Sequence, residues 1–67
     1  MAGLLKLAPR IRAKRDQILD LELDLRTIEI AKRNALTALR ADRTDDNLVT
    51  YHALRSVHTV YSFGGAC

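Results

Sequence analysis

The 67-residue sequence predicts an all-α fold: an antiparallel helical hairpin, with a long helix 1 and a shorter helix 2, completed by oligomerisation into a helical bundle. Three observations predict it. One proline and three glycines barely punctuate the chain, which suits long helices. Apolar residues recur at spacings of three, four or seven, the period of one helix face. A single polar cluster, "RADRTDDNLV", interrupts that pattern between two apolar stretches.

Pro9 suits the first turn of a helix, where its missing N–H is not needed, so helix 1 is expected over about residues 10–41, after a short turn at 2–8. Its stripe is Ile11, Ile18, Leu21, Leu25, Ile28, Ala35 and Leu39. Leu19, Leu23 and Ile30 form a weaker second stripe, so more than one partner is needed to cover this helix. Within it, Asp20, Glu22 and Asp24 of "DLELDL" lack the glycine and loop of a calcium site and read as a solvated or interfacial face. The turn is placed at 42–45, with Thr44 or Asp45 as N-cap and acids in the first turn, where the helix dipole favours them. Helix 2 follows over about 45–62, carrying Leu48, Val49, Tyr51, Ala53, Leu54, Val57, Val60 and Tyr61. Gly64 reads as its C-terminal cap, leaving a flexible tail at 63–67 and a single domain over 1–67.

Lengths then suggest an interface. At 1.5 Å per residue, helix 1 spans about 48 Å and helix 2 about 27 Å, so the first half of helix 1 lacks an intrachain partner. Ile11, Ile18, Leu21, Leu25 and Ile28 are therefore expected at a contact with another chain. Charge is laid out to match: residues 1–15 carry +5, residues 16–29 carry −4 and residues 30–67 carry +2, summing to the net +3. Two copies crossing antiparallel set the basic block of one beside the acidic block of the other. Pairs such as Glu22 with Arg26 and Glu29 with Arg33, four residues apart, offer the ordinary alternative of a solvated face, at a few tenths of a kcal/mol each.

Nothing in the sequence converges as a catalytic centre. His52 and His58 are six residues apart, about 120° around a helix, which does not make a metal pair. Ser56 and Ser62 have no oriented base, and "FGGAC" follows a helix instead of opening one, so it cradles no phosphate. A chain this short is expected to have no cavity of a few hundred Å3. The expectations are accordingly no enzyme activity, no metal or cofactor, and no small-molecule substrate. Tyr51 and Tyr61 read as core or interface anchors. Cys67 is the only cysteine, so no disulfide staples the chain, and a reducing, cytoplasmic setting is expected.

The function expected from these features is that of a non-enzymatic protein–protein interaction module: an adaptor, small chaperone, inhibitor or assembly subunit. Its partner is a second copy, with a dimer favoured, or another helical protein. The alternative is a small basic nucleic-acid-binding protein using Lys6, Arg10, Arg12, Lys14 and Arg15, although acids follow at once and no aromatic residue accompanies the cluster. Attachment of the same segment to an anionic membrane through Leu4, Leu5, Leu7 and Ile11 is weaker still, because the apolar face is short and lacks tryptophan. The first fifteen residues, acid-free and rich in arginine and leucine, also resemble a transit peptide in composition, though Pro9 is expected to interrupt the helix such a signal needs.

Overall fold

The computed structural model describes residues 2–66, and the side chains of residues 6–63. Three helices follow one another: α1 (Ala2–Asp20), α2 (Leu25–Ala41) and α3 (Asp45–Ala66). The two-helix hairpin is thus overturned in favour of a compact three-helix bundle, whose expected helix 1 folds back on itself at residues 21–24.

Local hydrogen bonding explains the break. The last turn of α1 tightens as the N–H groups of Leu21 and Glu22 donate to the carbonyls of Ile18 and Leu19, three residues back. Glu22 then takes a left-handed conformation, with φ of 52°, which reverses the chain direction. Asp24 restarts the helix: its backbone is extended, and its carboxylate accepts a hydrogen bond from the Thr27 N–H at 2.7 Å. The apolar stripe reads as continuous because Ile18 and Ile28 are both core residues on either side of the reversal. Periodicity alone carries no trace of the cap between them.

The second turn is stitched more heavily. The Thr44 hydroxyl accepts from the Asn47 N–H at 3.2 Å, so Thr44 is the N-cap of α3, and Asp45 and Asp46 occupy the first turn. Asn47 reaches back with its side-chain amide to donate to the Asp42 carbonyl at 2.6 Å and the Ala38 carbonyl at 3.4 Å. Carbonyls at the end of α2 are thereby satisfied by the start of α3.

Helix α3 is the shared element, packing against both α1 and α2. Glu29 lies beside His58 and Ala38 beside Asn47, so α2 runs antiparallel to α3. Arg10 lies beside Asp46, and Ile18 joins Leu54 and Val57 in the core, so α1 runs in the same direction as α3. Ile18, Ile28, Ala35, Ala53, Leu54 and Val57 form the central cluster, with Ile11, Leu19, Leu23, Ala31, Tyr51 and Tyr61 packed against it. Small residues, Ala35 and Ala53, are buried between the larger ones, which lets helix backbones approach.

Both ends of the chain also depart from expectation. Helix α1 begins at Ala2 and passes through Pro9, where a helix start was expected. A proline interior to a helix forfeits the hydrogen bond to the carbonyl four residues back, at a cost of about 3 kcal/mol for an unsupported helix, so burial of Leu7 must hold this end in place. At the other end α3 extends through Gly64 to Ala66, where a cap and a flexible tail were expected; no described glycine has positive φ, so none ends the helix in the left-handed manner. Cys67 and the side chains of Leu4 and Leu5 lie outside those described.

The reversal makes a sign prediction. Within a helix, glycine costs about 1 kcal/mol, but at a left-handed position it relieves about 1 kcal/mol of strain. Glu22→Gly should therefore raise the melting temperature in thermal denaturation followed by circular dichroism; a lowered one would restore a continuous helix. The core makes another. Ile28→Ala should destabilise by roughly 2–5 kcal/mol, whereas Ile30→Ala, on the opposite face and 52% exposed, should cost a small fraction of that in the same measurement.

Candidate functional site

The residues expected at an interchain contact separate into two groups. Ile18 and Ile28 are buried in the chain's own core and Ile11 packs against it, so α3 covers the half of the stripe that lengths alone left bare. Leu21 and Leu25 remain at the surface, 65% and 39% exposed. Because α2 is antiparallel to α3, these two residues share an end of the bundle with the last turns of α3, where Val60 and Phe63 are also exposed, Phe63 to 72%. Asp20, Glu22 and Asp24 flank this apolar end.

The five N-terminal cations do not form one patch. At about 100° per residue, Arg10 and Lys14 fall on one flank of α1, while Arg12 is turned about 200° from Arg10. Arg10 and Lys14, with Ala13 and Gln17, line a shallow groove of about 320 Å3 against Asp46, Val49 and Thr50 of α3. Arg10 is engaged there by the Asp46 carboxylate, and Arg15 by Asp16 at 3.0 Å. Lys6, Arg12 and Lys14 are exposed.

A second groove opens between α2 and α3, with a volume of about 410 Å3. A cavity of this size was not expected from so short a chain. Glu29, Lys32, Arg33 and Leu36 line it from α2, and Tyr51 and His58 from α3. The His58 Nε2 lies 3.4 Å from the Glu29 carboxylate. Tyr51 is half-buried, has the Arg55 guanidinium 5.7 Å from its ring centre, and makes an edge contact with His52. Lys32 is half-buried too, yet among the described residues neither its ammonium nor the Arg33 guanidinium is paired with a carboxylate. No buried side-chain nitrogen or oxygen among the described residues lacks a hydrogen-bond partner, and no cluster of three or more histidine, cysteine or acidic side chains is arranged to hold a metal ion.

Sequence reasoning missed this groove. Lys32 and Arg33 lie 18 or more residues from Tyr51 and His58 in the chain, and only the antiparallel pairing of α2 with α3 brings them together. Their juxtaposition is a property of that pairing and not of either helix alone. No described helix is long and apolar enough to cross a membrane. No protein-family model, curated protein or solved structure matches the chain.

One carboxyl in the acidic end is clearly perturbed. The Thr27 side chain first, and its backbone N–H second, hold the Asp24 carboxyl below the usual carboxylate range. A group whose value is depressed by folding contributes stability that is present above its unfolded value, about 4, and is lost as pH falls through the folded one. Asp24→Ala should therefore melt below the parent at neutral pH, and the gap should narrow as pH is lowered below about 4. Melting curves that stay equally far apart down to pH 2 would show that the ionised carboxylate is not the capping group.

Proposed function

We propose that this chain is a non-enzymatic protein-interaction module that docks a helical partner, a second copy or another protein, through the apolar end of the bundle. The observation that supports it is the grouping of Leu21, Leu25, Val60 and Phe63 at the end formed by the α1–α2 turn and the last turns of α3. Single exposed apolar residues are ordinary on a soluble domain, but several gathered at one end of so small a surface favour association. Acidic Asp20, Glu22 and Asp24 around them favour a partner helix with an apolar face and cationic flanks. The surface differs from the one that helix lengths suggest, since Ile18 and Ile28 are already covered within the chain. Nucleic-acid contact through residues 6–15 has less support, because Arg10 and Arg15 are engaged by carboxylates and the cations divide between two flanks of α1.

Leu21→Asp combined with Phe63→Asp tests the assignment. In a bundle whose core is complete within one chain, the double variant should keep its helicity at low concentration. It should lose association, read as mass by sedimentation or light scattering, and lose the rise of melting temperature with concentration that association produces in the parent. A parent that stays monomeric at about 100 μM and fails to bind an amphipathic cationic helix would refute the reading.

A further inference from the structure

We propose that the α2–α3 groove is a binding site for a nucleotide, its base against Tyr51 and Leu36 and its phosphate held by Lys32 and Arg33. The proposal is independent of the apolar end, which lies at the bundle's tip. Four observations lead to it. The groove's volume of about 410 Å3 falls within the range of ligand clefts, about 300–1,000 Å3, and it is open along one side, as a molecule with a solvated sugar requires.

Its walls are chemically divided: Leu36 and the half-buried Tyr51 supply an apolar and aromatic surface, and Lys32 and Arg33 supply adjacent cations on α2. An aromatic wall takes a base of any identity, whereas an ammonium and a guanidinium side by side take a phosphate. These cations are also available, in contrast to Arg10 and Arg15, which are already engaged by Asp46 and Asp16. The Lys32 stem packs on α2 while its ammonium stays in contact with water, since no described side-chain nitrogen is both buried and unpaired, so an anion entering the groove can reach it.

The surrounding charge agrees. Lys32, Arg33 and Arg55, which lies over Tyr51, stand against Glu29 alone, and Glu29 is turned toward His58. The local field is therefore positive, although acids crowd the ends of the neighbouring helices. The same chemistry is offered by a free nucleoside monophosphate and by one nucleotide of a single strand. The groove's open side admits either.

Titration of the 67-residue protein with AMP, a short oligoadenylate, adenosine and inorganic phosphate, followed by amide shifts and calorimetry, tests the site. AMP should shift resonances of Lys32, Arg33, Leu36, Tyr51 and His58, and adenosine or phosphate alone should bind at least about tenfold more weakly, because each meets only one wall. Lys32→Gln with Arg33→Gln should weaken AMP at least about tenfold while changing the melting temperature little, since glutamine keeps most of the alkyl stem of each side chain. Arg12→Gln with Lys14→Gln on α1 should leave AMP binding as it is. Tighter binding per site of the oligoadenylate than of AMP assigns a strand as the occupant, and equal or weaker binding assigns the free nucleotide. The proposal is overturned by absence of AMP and oligoadenylate binding at about 1 mM, by phosphate binding as tightly as AMP, or by loss of binding in the α1 variant but not in the α2 variant.

Discussion

The reversal at residues 21–24 decides what every other part of the molecule can do. If the chain ran straight through it, one rod would offer a stripe far longer than α3 could cover. Turned at Glu22 and restarted by Asp24, the same apolar positions become two walls that enclose α3, with Ile18 arriving from one and Ile28 from the other. The local cost of a left-handed glutamate is about 1–2 kcal/mol. It is offset by burial of side chains such as Ile28 and Val57, each worth about 1.5–3 kcal/mol when fully withdrawn from water. A domain of this size holds a small core, so a reversal that lets one chain supply all three helices removes the need for another copy to complete it.

Much of the fold was legible in the residues that point inward. Ile18, Ile28 and Ala35 on the first stripe, and Val49, Ala53, Leu54 and Val57 on α3, are core residues because helical spacing places them on one face whatever the topology. Thr44 and the acids after it announced the start of α3, since a hydroxyl and negative charge satisfy and complement free N–H groups there. What failed was punctuation. Asp24 sits among leucines that continue the stripe, and no glycine or asparagine marks the left-handed residue, so nothing in the pattern separated a cap from a solvated acid. Pro9 and Gly64 erred in the other direction: each suggested a helix boundary that packing and negative φ angles overrode.

The site followed the fold. A single rod would leave Ile18 and Ile28 facing another chain, whereas the reversal buries both within the chain's own core. Leu21 and Leu25 stay exposed because they belong to the turn and the first position after it. The α2–α3 groove was hidden for a different reason. A cation pair and an aromatic residue have meaning as a site only when adjacent, and adjacency across a helical hairpin is a property of register that neither helix encodes alone.

The shared position of α3 carries a temporal consequence. Helices α2 and α3 are joined by three residues and can zip together through nearby contacts, whereas Arg10 of α1 waits for Asp46, 36 residues further along the chain. During synthesis at about 5–20 residues per second, some seconds separate the emergence of α1 from that of the α3 turns carrying Leu54 and Val57. Throughout that interval Leu7, Ile11 and Ile18 are bare on the nascent chain, beside a dense run of positive charge. The apolar positions of α1, the first to be made, are thus the last to be covered, because their cover is α3 and not the neighbouring α2.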